Sequence, residues 1–147
     1  MKPNLLDVSV LIPLFWAGHP QHENAREWFV HHANEGWATC PVTQAGFVRL
    51  VSNPIFSKSA TTVAEAAKLL AENLGHPKHI YWPADISYLE ATEHFLGRIT
   101  GYRQSTDAYL IGLAIHRRGR LVTMDRGILH LLPDHLQQRD SIILIDE

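Results

Sequence analysis

Three aspartates, far apart in the sequence, are the residues best suited to act together chemically. Asp7 and Asp125 each follow a short apolar run, and Asp107 opens an apolar helical stretch. Clustered carboxylates repel each other and lose hydration, so a protein keeps such a cluster mainly where a cation offsets the cost. Hard divalent ions prefer oxygen ligands, activate water and neutralise charge on a phosphodiester. The pattern therefore favours metal-assisted hydrolysis of a phosphodiester.

Each of these acids also has a plainer explanation. Asp7 could simply cap the helix that follows it, and Asp107 stands in the first turn of a helix, where acids are favoured. Asp125, in the segment TMDR, could be a turn residue. Ser9 could orient Asp7 or could be an ordinary serine at a helix start. The metal-site hypothesis rests on the three acids taken together at their positions in the fold.

An alternation of strands and helices places the acids. The predicted strands are 4–6, 37–40, 79–82, 121–123 and 142–145. The predicted helices are 8–16, 22–34, 41–53, 61–73, 88–96 and 107–118. The third helix begins at Pro41 and is stopped by Asn53-Pro54, and Thr106 is the expected cap of the last one. This order predicts an α/β fold, a parallel sheet with helices on both faces. Ligand sites in such sheets lie beyond the carboxyl ends of the strands, so the three acids are expected to meet at one rim.

Length and composition set further limits. The chain has 147 residues, which fits a single domain spanning 1–147. Its net charge is −2, with 13 Lys and Arg against 15 Asp and Glu, so a polyanion would need a local basic rim or metal ions. The single cysteine, Cys40, suits a reducing compartment. Asp7 interrupts the apolar run 5–17, which is also too short to cross a bilayer, so we expect a cytoplasmic protein without a membrane span.

Several segments together resemble one known family. The opening LLDVSVL (5–11), the helix TDAYLIGLA (106–114) and the strand end LVTMDR (121–126) are similar to motifs of PIN-domain proteins. HPQH (19–22) and VTQAGFVRLVSNP (42–54) are similar to one subgroup of VapC toxins. The resemblance covers nearly the whole chain, with the motifs in the family's order. The sequence is therefore identified as a VapC-like member of the PIN-domain family.

The resemblance implies a fold, an activity and partners. It implies a three-layer α/β/α fold around a parallel sheet of about five strands. It implies an Mg²⁺- or Mn²⁺-dependent endoribonuclease, the toxin of a type II toxin–antitoxin system, with Asp7, Asp107 and Asp125 as catalytic and metal-binding residues. RNA is the implied substrate, a VapB-like antitoxin the implied protein partner, and a homodimer the implied assembly.

One position departs from the family pattern. The second family acid is usually a Glu in the third helix, and Gln44 is the residue aligned with it. A glutamine keeps a carbonyl oxygen but lacks the charge, which leaves the number of metal ions open between one and two. The alternative function is therefore a catalytically weakened PIN-like module that binds RNA or the antitoxin.

Six further residues are candidates for contact with the substrate or for orienting the acids: Ser9, Gln44, Thr123, Arg126, His19 and His22. The two histidines are expected at a rim near the site rather than in a zinc site, since no cysteine or acid follows at zinc-ligand spacing, and a plain exposed loop is equally open. Arg103 is a second candidate for phosphate binding. An aspartyl-phosphate mechanism is disfavoured, because Ser9 stands where an Asp-x-Asp motif would need its second acid.

Overall fold

A computed structural model describes residues 2–56, 60–132 and 140–146. Within these ranges strands and helices alternate, largely as the sequence predicts. The elements, in chain order, are β1 (Asn4–Leu6), α1 (Val8–Phe15), α2 (His22–His32), β2 (Trp37–Thr39), α3 (Pro41–Val51), α4 (Val63–Leu74), β3 (His79–Tyr81), α5 (Tyr88–Thr92), α6 (Ser105–His116), β4 (Arg120–Thr123) and β5 (Ile142–Leu144).

The five strands form one parallel sheet in the order β3-β2-β1-β4-β5. In the centre of the sheet, Leu5 lies opposite Ala38 on one side and Leu121 on the other. All residues of β1 and β2 are buried. Near-continuous burial is typical of parallel strands covered by helices on both faces. The predicted three-layer fold with a five-stranded parallel sheet is confirmed.

Alternate residues of the central strands pack into two separate hydrophobic cores. Leu5 packs in a cluster with residues of α5 and α6, whereas its neighbour Leu6 packs with residues of α1, α3 and α4. Leu121 and Val122 of β4 divide in the same way. Side chains of a strand point alternately to its two faces, so each face binds its own layer of helices. The two layers hold α3 and α6 on opposite faces of the same sheet.

The beginning of α6 differs from the prediction. A short 3-10 helix, Tyr102–Gln104, leads directly into Ser105, whose Oγ donates to the Tyr102 carbonyl at 2.6 Å. The backbone is therefore already helical at Thr106, and the prediction that Thr106 caps this helix is wrong. Asp107 nevertheless lies in the first turn, as expected.

Helix α6 is held close to α5. At Gly112 a Cβ atom would overlap the carbonyl oxygen of Ala91, so only glycine allows this approach. Seven consecutive residues of α6, from Ala108 to Ala114, are buried. Helix α5 itself ends at Thr92 rather than at Leu96, where the chain turns and buries Phe95 in the core. The tight α5–α6 packing fixes the position of Asp107 at the end of the buried stretch.

The lengths of the helices can be compared with the thickness of a membrane. The longest helices in the described ranges are α4 and α6, with 12 residues each. At 1.5 Å per residue such a helix is about 18 Å long, against about 30 Å for the hydrocarbon core of a bilayer. None of the described helices is long and apolar enough to cross a membrane.

Candidate active site

Two of the predicted acids lie side by side at the carboxyl edge of the sheet. Asp7 directly follows β1 and is the N-cap of α1, and Asp125 follows β4 and is the N-cap of a 3-10 helix, Arg126–Leu131. Because β1 and β4 are adjacent and parallel, their carboxyl ends meet. The Asp7 backbone N–H donates to the Val122 carbonyl at 2.9 Å, which continues the sheet pairing to this point. Capping and membership of an acidic site are thus compatible roles for the same residues.

The carboxylate of Asp7 is held by three donors. Its Oδ1 accepts the N–H of Val8 at 2.9 Å, and its Oδ2 accepts the hydroxyls of Ser9 at 2.7 Å and of Thr123 at 2.9 Å. The residue is 7% exposed. Both oxygens are therefore fixed in direction by the strands and the helix that meet here.

The two hydroxyl groups around Asp7 are themselves oriented by the backbone. The N–H of Met124 donates to Ser9 Oγ at 3.0 Å, and the N–H of Asp125 donates to Thr123 Oγ1 at 3.0 Å. Each hydroxyl thus accepts one backbone N–H and donates its single proton to Asp7 Oδ2. Ser9 and Thr123 therefore position Asp7, the role that the sequence allowed for Ser9.

Asp107 comes to the same place from α6. Asp7 and Asp107 both line a cavity of about 620 Å³ between α3 and α6. Asp125 does not line this cavity, but its charge acts on both of these acids. The structure thus brings the three predicted acids within electrostatic range of one another, two of them in one cavity.

The protonation equilibria of Asp7 and Asp107 reflect this crowding. Burial raises the pKa of Asp7 above its ordinary value, against the lowering effect of the hydrogen bonds from Ser9, Thr123 and Val8. Burial, together with the charges of Asp7 and Asp125, raises the pKa of Asp107 to about 7. Among the described residues no cation contributes to either shift. Within the described residues, neither acid is paired with a cationic side chain.

The donor chemistry of this site fits a hard divalent cation. Carboxylate oxygens are preferred ligands of Mg²⁺ and Mn²⁺, and Mg²⁺ usually keeps several waters in its shell. In the part of the chain that the structure describes, no three acidic, His or Cys side chains already form a ligand group. Water and substrate oxygens would have to complete the shell around Asp7 and Asp107.

Gln44 lies outside the acidic cavity. Its Nε2 donates to Thr39 Oγ1 at 3.0 Å, and Thr39 Oγ1 in turn lies 2.8 Å from His79 Nε2. The side chain therefore turns toward β2 and β3 rather than toward Asp7. The structure does not bring Gln44 to the acids, because the face of α3 that lines their cavity carries other residues.

The residues of α3 that line the acidic cavity are Pro41, Val42, Thr43, Ala45, Gly46, Arg49 and Leu50. A Cβ atom at Gly46 would lie 2.9 Å from Val8 Cγ2, so any side chain there would require Val8 to shift. Helix α3 has no Asp or Glu between Pro41 and Val51, so its side of the cavity has no carboxylate. A glycine inside a helical pattern often marks such a close approach, and this is the signal in the sequence that points to position 46.

The histidines of HPQH stabilise the connection between α1 and α2. His22 Nδ1 lies 2.8 Å from the Pro13 carbonyl, and His19 Nδ1 accepts the N–H of Gln21 at 3.0 Å. Carbonyls in the last turn of a helix lack intrahelical donors, and the ring of His22 donates a hydrogen bond to one of them. Neither histidine lines the acidic cavity.

Arg126 is likewise turned away from the acids. Its guanidinium lies 2.7 Å from Asp146 Oδ1, in an exposed ion pair with the chain segment after β5. It does not line the cavity of Asp7 and Asp107. Of the predicted contacts, the structure therefore brings Ser9 and Thr123 to the site, and it does not bring Gln44, Arg126, His19 or His22.

Comparison with known proteins shows which family this chain is similar to. A family model described as "PIN domain" matches residues 5–131. Ribonuclease VapC38 of Mycobacterium tuberculosis (strain ATCC 25618 / H37Rv) is 43% identical over 127 residues, which cover 86% of this chain and 88% of that protein. Ribonuclease VapC44 of Mycobacterium tuberculosis (strain CDC 1551 / Oshkosh) is 41% identical over 124 residues, which cover 84% of this chain and 87% of that protein.

A solved structure matches the fold. One chain in the crystal structure of VapBC2 from Rickettsia felis, bound to a DNA fragment from their promoter, aligns with a TM-score of 0.64 and 14% identity. The alignment covers 99% of this chain and 97% of that chain. At this level of identity the match concerns the fold alone.

Proposed function

The chain belongs to the PIN domain family, and from that premise we propose that it is a divalent-metal-dependent endoribonuclease, the toxin of a VapBC-type toxin–antitoxin pair. Two relatives that it matches over more than four fifths of its length carry the name ribonuclease VapC. The proposed catalytic and metal-binding residues are Asp7, Asp107 and Asp125, and the proposed ion is Mg²⁺ or Mn²⁺.

One observation carries this proposal, the meeting of Asp7 and Asp107 in a single cavity at the carboxyl edge of the sheet. Burying two like charges together raises the free energy of the folded chain unless a proton or a cation is bound. The raised pKa of Asp107 expresses that cost. Because the burial of these two acids is unfavourable without a bound cation, their position supports a cation-binding role better than a purely structural one.

The residues of the chain have separable tasks in the proposed reaction. Asp7, Asp107 and Asp125 would hold the cation, the first two from within the cavity. Ser9 and Thr123 keep Asp7 in one orientation through its Oδ2. When bound, a divalent ion supplies Lewis-acid stabilisation of the charge that develops on the phosphate and favours ionisation of an attacking water.

The proposed partners follow from the same family. They are an RNA substrate, a VapB-like antitoxin that inhibits the enzyme, and a second copy of the chain in a homodimer. The proposed location is the cytoplasm. DNA as a substrate is an alternative that the same cleavage experiment can compare directly.

The proposal is tested with purified, antitoxin-free protein on a panel of structured RNAs. Cleavage is measured with Mg²⁺, with Mn²⁺ and with EDTA, for the native chain, for Asp7→Asn and for Asp85→Asn. Asp85 is a matched control, because it is a half-exposed acid that pairs with Arg117 at 2.9 Å away from the cavity. We expect cleavage that requires a divalent ion, is lost in Asp7→Asn and persists in Asp85→Asn.

Two results would contradict the proposal. Cleavage that survives in Asp7→Asn would mean that another site, or a contaminating nuclease, acts on the RNA. Absence of cleavage from a folded native chain under every condition would favour the binding module, the alternative that a cavity without an acid from α3 supports.

A further inference from the structure

Two arginines line the acidic cavity beside Asp7 and Asp107. Arg49 extends from α3, and Arg103 extends from the 3-10 helix that leads into α6. They are the cationic side chains among the described residues that line this cavity. Both are exposed, whereas Asp7 is buried. The cavity therefore combines a buried negative floor with positive charge at its mouth.

Neither arginine has an ion pair with a described residue, which distinguishes both from most other arginines of the chain. Four arginines in the described ranges have a carboxylate oxygen within 4 Å, at 3.9, 2.9, 3.3 and 2.7 Å: Arg26, Arg117, Arg120 and Arg126. Among the described residues, Arg103 has hydrogen-bond and ring contacts with Tyr102 alone, through Nε to the hydroxyl at 3.4 Å and with its guanidinium 5.8 Å from the ring centre. The charges of Arg49 and Arg103 are therefore available to an external anion.

The two arginines also do not neutralise the acids of the cavity. Neither guanidinium has a nitrogen within 4 Å of a carboxylate oxygen of Asp7 or Asp107, so neither forms an ion pair with these acids. A cation at the acids and an arginine at the mouth can consequently serve different atoms of one ligand. A phosphodiester, with its two non-bridging oxygens, is a ligand of that kind.

Helix α3 contributes positive charge to this cavity through Arg49. The residue at position 46 has no side chain and lies against Val8, and Arg49 lies one turn further along the same face. The wall of α3 therefore adds a guanidinium and no carboxylate. The planar fork of a guanidinium matches the oxygens of a phosphate, which an ammonium group does not do as well.

We propose that Arg49 and Arg103, from the two walls of the acidic cavity, bind backbone phosphates of the RNA and draw it across Asp7 and Asp107. This inference rests on the proposed ribonuclease function, since it names the residues that hold the substrate of that site. It also accounts for RNA binding by a chain whose net charge is −2, because the positive charge acts locally.

The test measures RNA binding separately from cleavage. A fluorescein-labelled single-stranded oligoribonucleotide is titrated with protein in EDTA, where metal-dependent cleavage is off, and anisotropy gives Kd at several KCl concentrations. The variants are Arg49→Ala, Arg103→Ala, Arg49→Lys and, as a matched control, Arg26→Ala, whose side chain forms only an exposed pair with Glu23. Thermal melting of each variant checks that it is folded.

Removing one cationic side chain that binds a phosphate of a single strand reduces the slope of log K against log salt by about 0.7. We therefore expect Arg49→Ala and Arg103→Ala each to raise Kd and to lower the slope by about that amount. Arg49→Lys should keep the slope, because it keeps the charge, and should raise Kd less than Arg49→Ala does. Arg26→Ala should leave both quantities unchanged.

Failure of this inference can be told from failure of the proposed function. If the native chain cleaves RNA but Arg49→Ala and Arg103→Ala keep its Kd and slope, phosphate binding by these arginines is refuted and the nuclease stands. If the native chain does not cleave but both variants show the reduced slope, the nuclease fails and phosphate binding stands. If the native chain does not bind RNA, the inference is refuted as well.

Discussion

Carboxylates at the two ends of the same parallel sheet have opposite electrostatic surroundings. At the amino end Glu35, just before β2, contacts His32 at 2.9 Å and Arg120 at 3.3 Å. At the carboxyl end Asp7 and Asp107 share a cavity, and no described Lys, Arg or His side chain forms an ion pair with either of them. A hydrogen bond from His32, followed by contributions from Asn4 and Arg120, lowers the pKa of Glu35, whereas burial raises the pKa of both aspartates.

The contrast separates a structural charge from a functional one. Where the chain supplies its own cation, as it does for Glu35, the folded state is stabilised and no ligand is needed. Where it buries acids without a cation, the folded state is destabilised by an amount that a bound ion can remove. We therefore expect changes at the carboxyl end to act on catalysis and metal binding, and changes at the amino end to act on stability alone.

The largest expected effect is that of Asp107→Asn. Losing a metal ligand should remove several kcal/mol of transition-state stabilisation, so RNA cleavage should fall by at least about a hundredfold. The folded chain should not be weakened, because the variant removes a charge that burial, Asp7 and Asp125 disfavour. Cleavage assays and thermal melting measure the two effects.

The pH dependence of melting tests the same charge in a second way. A folded-state pKa raised to about 7 stabilises the protein at low pH, and that contribution is lost as the pH rises through 7. Without metal, Asp107→Asn should therefore melt above the native chain at pH 8, and the difference should shrink toward pH 6. Mn²⁺ should raise the native Tm more at pH 8 than at pH 6, because it competes with the proton, and much less in the variant. A variant that melts below the native chain at every pH would contradict the functional interpretation of this charge.

A smaller effect on catalysis is expected from Ser9→Ala. The change removes one of the two hydroxyls that donate to Asp7 Oδ2 and leaves the Met124 N–H without its acceptor. Loss of a residue that orients a metal ligand typically costs about 10–100-fold in metal affinity or activity. A Mn²⁺ titration and the cleavage rate should both show the loss, and Ser9→Thr should restore most of it.

Ser87→Ala provides the matched control for Ser9→Ala. Ser87 is the N-cap of α5 and accepts the N–H of Glu90 at 3.1 Å, so its loss should cost about 1 kcal/mol of stability. Cleavage and Mn²⁺ affinity should stay at the native level. If Ser9→Ala lowered only the melting temperature, as Ser87→Ala should, Ser9 would be a structural residue and not a positioning one.

The smallest effect is expected at the amino end, for Glu35→Gln. The ion pair with Arg120 joins side chains that are about a quarter exposed, so its loss should cost roughly 0.2–1 kcal/mol and leave cleavage unchanged. Because the pKa of Glu35 is lowered by folding, its contribution is present above the ordinary Glu value and is lost as the pH falls through the folded value. Urea unfolding should therefore show a larger difference between the two chains at pH 7 than at pH 3.5. A loss of cleavage in Glu35→Gln would contradict the division between the two ends.

The positions of the acids along the fold could be predicted because they depend on local pattern. Short apolar runs followed by helical spacing locate the ends of β1 and β4, and in a parallel sheet those ends meet. The apolar stripe of α6 predicts that helix correctly but not its first residue. The 3-10 helix before Ser105 replaces a side-chain cap, and no residue type in that segment signals it.

The orientation of other side chains could not be predicted in the same way. Gln44 and Arg49 lie on one helix, and the family pattern favours Gln44 for the site. Helix spacing puts the two side chains on different faces, and in the structure Arg49 lines the cavity while Gln44 bonds to Thr39, with Gly46 in close approach to Val8 of α1. That approach involves residues about forty positions apart, which a local pattern does not contain.

Local sequence patterns are sufficient to predict the α/β fold, the order of its elements and the arrival of Asp7, Asp107 and Asp125 at one edge, since periodicity and strand polarity are properties of short segments. The neighbours of those acids depend instead on how the whole chain packs. Packing turns His22 to Pro13 and Arg126 to Asp146, and it places Thr123 on Asp7: three contacts that join segments separated along the chain. Hydrogen bonds and charges act over a few ångströms in space, whatever the distance along the chain, and a linear pattern does not contain those distances.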